Sequence, residues 1–125
     1  MRLLLDTNAL IFSLGSPKKL SSKVRDALTS EESVVLVSAV CIWEMRIKQA
    51  LGKLKVTSNL LDAIQEQGFD LLPITPAHAD GIKGLPLLHR DPFDRLLVVQ
   101  ALMEKLTVVT TDEVFSKYGV DVFEG

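Results

Sequence analysis

Four short apolar runs, Arg2–Leu5, Val34–Val37, Leu71–Ile74 and Thr107–Thr110, punctuate the 125-residue chain, with longer segments between them. Runs this short, with little polar alternation, suit strands covered on both faces. The gaps far exceed a hairpin turn, and each has room for at least one helix. Strands alternating with helices pair in parallel, because parallel neighbours need a long crossover between them. The expected fold is therefore an α/β domain with a central, mostly parallel sheet and helices on both faces. Sheets of this kind bind ligands outside the carboxyl ends of their strands, near the point where strand order reverses. Polar residues just past the strand ends are thus the ones to inspect.

Between the strands the chain predicts helices over Thr7–Leu14, from Ser21 or Ser22 to about Leu28, and from a Ser38 cap to about Leu51. Gly15-Ser16-Pro17 breaks the first of these, and Gly52 stops the third. Further helices are expected over Asn59–Gln67, Ala77–Ile82 and Asp91 to about Lys105, with a loop over Gly84–Arg90. Val120–Phe123 suggests a last, short strand. Pro73 weakens the end of the third strand, since proline cannot donate to a ladder. No repeat or linker interrupts the pattern, so residues 1–125 read as a single domain.

The net charge of −2 argues against binding through a broad basic surface, and so against a dedicated nucleic-acid binder. It leaves room for a nuclease, because bound metal ions can offset a local acidic cluster. The lone Cys41 permits no internal disulfide. Asp6 cuts the opening leucine run, and no apolar stretch approaches the ~18 residues a membrane span needs. A cytoplasmic location is expected.

Asp6 directly follows the first strand and Asp112 closely follows the fourth, so both are expected at one rim of the sheet. Either alone also suits a helix cap or a turn. Glu44 is more telling. At ~100° per residue, Val40, Trp43, Ile47 and Leu51 form one apolar helical stripe, with Glu44 inside it. An acid on a core-facing stripe needs a partner or a metal, because its charge is costly to desolvate. In Asp91-Pro92-Phe93-Asp94-Arg95, Asp91 suits an N-cap with Pro92 at the first helical position. Asp94 then occupies a first turn that favours acids. The apolar Leu96–Val99 and Ala101–Met103 imply a helix buried on most sides, which puts Asp94 at the mouth of a cleft. Asp94 is the preferred ligand and Asp91 the second candidate.

Asp6, Glu44, Asp94 and Asp112 together select a hard cation, Mg2+ or Mn2+, over zinc. Cys41, His78 and His89 show no ligand spacing, and His89 suits a loop histidine bonded to backbone. A carboxylate-held ion suits phosphodiester hydrolysis, because it polarises the phosphoryl group and acidifies water. Arg46, Lys48, Lys53 and Lys55 are read as a solvated face rather than an RNA track. Arg95 is the better candidate for a phosphate contact or an internal ion pair.

Four pieces of the chain carry a resemblance: Leu3–Leu10, Ser38 through Trp43-Glu44, His89–Leu97, and Val109–Asp112. In that order they resemble the PIN domain, specifically the VapC-type toxins of bacterial toxin–antitoxin pairs. The resemblance implies a three-layer α/β/α domain and a Mg2+-dependent endoribonuclease. It places Asp6, Glu44, Asp94 and Asp112 on the family's acidic quartet, with Asn8 and Thr110 as hydrogen-bonding supports. It also implies a homodimer neutralised by a cognate antitoxin. A catalytically inactive PIN-like module that binds RNA or protein is the alternative. A receiver-type signalling domain fits less well, because it wants adjacent acids after strand one, where Thr7-Asn8 stands here. A phosphatase with an aspartate nucleophile wants an acid at position 8, which is asparagine.

Overall fold

The computed structural model describes residues 1–124. Its sheet is centred on β1 (Arg2–Leu5), flanked by β2 (Val34–Ser38) and β4 (Thr107–Thr110). β3 (Asp70–Leu72) lies outside β2, and β5 (Val122–Glu124) outside β4. All these pairings are parallel, with Leu4 of β1 opposite both Leu36 and Val108. Leu3, Leu4 and Leu5 are all fully buried, and so is Val108, with Val109 almost so. Since alternate side chains face opposite sides of a strand, both faces of the sheet are covered. The domain is the three-layer α/β/α arrangement that the alternating pattern predicts.

The helices are α1 (Thr7–Gly15), α2 (Ser22–Thr29), α3 (Ala39–Ala50), α4 (Leu60–Glu66), α5 (Pro76–Gly81), α6 (Pro92–Glu104) and α7 (Val114–Lys117). The chain winds outward from β1 to β2 and β3, then returns across β1 to form β4 and β5. That return makes the β1/β4 boundary the point where strand order reverses.

Two local expectations change, and one element is added. The third strand stops at Leu72, so Pro73 lies outside the ladder instead of weakening its end. The last strand begins at Val122, two residues later than its apolar run suggests. The short helix α7 lies in a segment with no clear periodicity, and Asp112 starts it by accepting a bond from the Val114 amide at 3.0 Å. Among the described residues, no helix is long and apolar enough to cross a membrane.

Packing between α5 and α6 depends on one glycine. A Cβ at Gly81 would stand 2.8 Å from Val99 Cγ1. Valine is stiff in a helix, so the helices rather than the side chain would have to yield. Gly81→Ala is expected to lower stability by about 1–2 kcal/mol, as overpacking does. Chemical denaturation checks this; an unchanged midpoint would show that α5 shifts without penalty.

Candidate active site at the sheet's switch point

A cavity of about 250 Å3 opens beside the ends of β1 and β4, lined by Asp6, Thr7, Asn8, Glu44, Lys48, His89, Asp91, Asp94 and Asp112. All four acids of the expected quartet reach its wall, together with Asp91. One larger hollow, beside Ile42, Arg46 and Asp62, and smaller ones lie elsewhere, but none gathers carboxylates in this way.

Asp6 is set by two local demands. It caps α1, its Oδ1 accepting the Ala9 amide at 2.8 Å. Its Oδ2 accepts the Thr110 hydroxyl from the end of β4 at 2.5 Å. The same Thr110 oxygen accepts the Asp112 amide at 2.9 Å, so one threonine orders both strand-end acids. Asp6 is 6% exposed, whereas Asp112 is exposed. Asn8 is exposed on the cavity wall.

Glu44 is 5% exposed, but the face that buries it differs from the apolar stripe expected. Trp43 and Leu51 are 53% and 64% exposed, and Ile47 is half-buried at best. The inward residues of α3 are Val40, Cys41, Glu44 and Met45, a face turned roughly a quarter-turn from the predicted one. Tertiary packing chose the small Cys41 and flexible Met45 over the bulky Trp43, whose ring instead meets Phe93 edge-on at 5.0 Å between centroids. Glu44 lies on the inward face in either case. Its Oε1 accepts the Thr7 hydroxyl at 2.6 Å and its Oε2 the Lys48 ammonium at 2.7 Å.

Asp91 is the N-cap of α6, its Oδ1 accepting the amides of Phe93 and Asp94 at 2.8 and 3.1 Å. Asp94, in the first turn, faces the cavity with its Oδ2 3.1 Å from His89 Nε2. α6 is buried through Leu97–Ala101, while Leu102 and Met103 are exposed near its end. Arg95 points elsewhere: it donates to the Leu85 carbonyl at 3.2 Å and forms no ion pair among the described residues. Its Nε is buried without a partner.

Sequence reasoning undervalued two residues. His89 bonds a carboxylate instead of backbone, and its ring lines the cavity. Its five-residue spacing to Asp94 across a helix start was the available signal. Lys48 is not simply on a solvated face, since it pairs with the buried Glu44. The i, i+4 spacing from glutamate to lysine was that signal.

The charges in this cavity oppose one another. Burial raises the Asp6 carboxyl above its ordinary range; the bonds from Thr110 and Ala9 resist this, and Asp112 and Glu44 add repulsion. Burial pushes Asp94 up to about 6, with further repulsion from Asp91 and relief from His89. The bond with Glu44 raises Lys48, which favours its ammonium form. Cys41 is pushed up to about 12 by burial, so its thiol is no nucleophile.

The donor chemistry fits a hard divalent cation. Carboxylate oxygens dominate, and those of Asp6 and Glu44 that accept one hydrogen bond each keep further acceptor capacity. Among the described residues, ligand atoms of His89, Asp91 and Asp94 lie within 4.8 Å of one another. The wider quartet surrounds the cavity without converging that closely.

The PIN-domain model matches residues 3–121 of this parallel α/β/α domain. The chain belongs to the PIN-domain family. Its fold is similar to a crystal structure of VapBC2 from Rickettsia felis bound to a promoter DNA fragment, with a TM-score of 0.71, 14% identity, and coverage of 99% of this chain and 98% of that one. It is also similar to DNA-bound VapBC from Salmonella typhimurium, with a TM-score of 0.66, 18% identity and coverage of 99% and 98%. FitAcB from Neisseria gonorrhoeae matches with a TM-score of 0.63 and 26% identity over 97% of this chain and 96% of that one. Comparison with curated proteins gives no match.

Proposed function

We propose that the chain is a Mg2+- or Mn2+-dependent endoribonuclease and the toxin of a toxin–antitoxin pair. One observation carries the reading: a single cavity at the strand-reversal point is walled by Asp6, Glu44, Asp91, Asp94 and Asp112. Two of those acids, Asp6 and Glu44, are nearly buried. Buried carboxylates kept close together are costly in a metal-free fold and make sense as ligands.

Asp6, Glu44, Asp94 and Asp112 would hold the ion, with Asp91 and His89 beside Asp94. When bound, the ion polarises the phosphodiester and lowers the pKa of attacking water. The protein's own groups do the rest. Thr110 and the Ala9 amide fix the direction of Asp6, and Thr7 fixes Glu44. Asp91, by capping α6, holds Asp94 at the cavity mouth. Asn8, exposed on the cavity wall, would support the site by hydrogen bonding. RNA as substrate, a homodimeric state and neutralisation by an antitoxin are inferred from the family and from the VapBC and FitAcB relatives.

The test of substrate class pairs RNA with DNA of the same sequence, each incubated with the purified protein and Mg2+. RNA is expected to be cut internally and DNA to stay intact. Cleavage of both alike would reassign the activity. Expression alone is expected to arrest growth, and co-expression of the neighbouring gene product to relieve the arrest. Unimpaired growth on expression alone contradicts the toxin assignment.

A further inference from the structure

Lys48 is the one lysine on a cavity wall that also carries Asp6, Glu44, Asp91, Asp94 and Asp112. Its Nζ stands 2.7 Å from Glu44 Oε2, one helical turn away. The two side chains differ sharply in environment: that of Glu44 is 7% exposed and that of Lys48 is 44% exposed. A pair such as Lys83 and Asp80, equally short but 76% and 70% exposed, is an ordinary surface contact that water replaces easily. A buried carboxylate has no such alternative and requires a cation or strong donors nearby. Thr7 serves one oxygen of Glu44, and Lys48 serves the other. The half-exposed lysine stem leaves its ammonium a way out to water, which the carboxylate lacks. Arg46 takes no part, because it bonds Gln49 on the outside of α3.

We infer that Lys48 is a built-in counter-ion for Glu44, which a divalent cation must displace as it enters the cavity. The inference rests on the reading of this cavity as a metal site. In the metal-free protein the ammonium neutralises the most buried acid of the cluster and holds it in place. An incoming ion competes for that carboxylate, and the lysine withdraws toward solvent. The pair therefore sets a threshold of ion concentration below which the site stays unloaded.

A residue that merely supported the fold would behave differently. Its loss would loosen the site and weaken ion binding. Loss of a competing cation strengthens ion binding instead, so the sign of the effect separates the two roles.

The experiment is calorimetric titration of MnCl2 into the metal-free full-length protein, for wild type, Lys48→Met, Lys48→Arg and Lys83→Met. Lys48→Met is expected to bind Mn2+ about tenfold more tightly, the size of a screened unit charge acting on a divalent ion. Lys48→Arg keeps the charge and is expected to stay near wild type, as is Lys83→Met, which lies outside the cavity wall. Melting curves without metal show whether Lys48→Met folds, and the stabilisation gained on adding Mn2+ is expected to exceed that of wild type. If wild type binds Mn2+ and Lys48→Met binds it equally or more weakly, the counter-ion role is wrong. If wild type binds no Mn2+, the metal-site reading itself fails and the counter-ion role falls with it.

Discussion

Asp6→Asn is expected to lower RNA cleavage by about a thousandfold or more while leaving the fold intact. The size follows from removing a ligand at the heart of a metal-dependent site, where the ion supplies several kcal/mol of transition-state stabilisation. The fold should survive because asparagine caps helices about as well as aspartate, so the bond from the Ala9 amide persists. The amide keeps the shape of the carboxylate but lacks its charge, and an amide NH2 cannot accept the Thr110 hydroxyl. Circular dichroism and the melting midpoint separate lost chemistry from lost structure. Substantial activity in a folded Asp6→Asn protein would mean that Asp6 is only a cap.

The second large effect reaches stability as well as activity. Asp94→Asn is expected to make the metal-free protein more stable at neutral pH while abolishing cleavage. Burial and Asp91 raise the Asp94 carboxyl from an ordinary 3.8 to about 6 in the folded state. Between these two values the folded protein binds more protons than the unfolded chain, so stability falls as pH rises through the window. Well below 3.8 the group is protonated in both states and the penalty vanishes. Above about 6 the penalty is complete, up to roughly 2 kcal/mol after allowance for the remaining solvent contact. The side chain is 20% exposed, so screening trims this figure without cancelling it. Asparagine removes the penalty, and denaturant midpoints of both proteins in EDTA at pH 4 and pH 7.5 measure the result. The two proteins are expected to differ fully at pH 7.5, with the difference shrinking to a small remainder at pH 4. A less stable Asp94→Asn protein at pH 7.5 would show that the His89 contact outweighs the repulsion.

Much of the fold was legible because its signals are local. Unbroken apolar runs mark β1, β2 and β4, and the Asp91-Pro92 pair marks the start of α6 to the residue. The rule that functional groups follow strand ends placed Asp6 and Asp112 at one rim, and both line the cavity. The orientation of α3 was not legible. Trp43, Ile47 and Leu51 form as good an apolar stripe as the residues that are buried, and only packing against α1 and α6 decides between them. Glu44 was singled out from the wrong stripe, yet lies deeper on the true inward face. His89 and Lys48 escaped for a related reason. Their roles depend on which carboxylate each side chain reaches, and spacing alone leaves several choices. Arg95 shows the converse: it is adjacent to Asp94 in sequence, yet its side chain reaches the Leu85 carbonyl instead.

The most direct test of the account is a single time course on end-labelled RNA. Wild type and Asp6→Asn are compared side by side, each with Mg2+ and each with excess EDTA. The account predicts internal cleavage by wild type with Mg2+ alone, restored after EDTA when Mg2+ or Mn2+ is returned in excess. Equal cleavage by wild type in EDTA, or by Asp6→Asn in Mg2+, would contradict it.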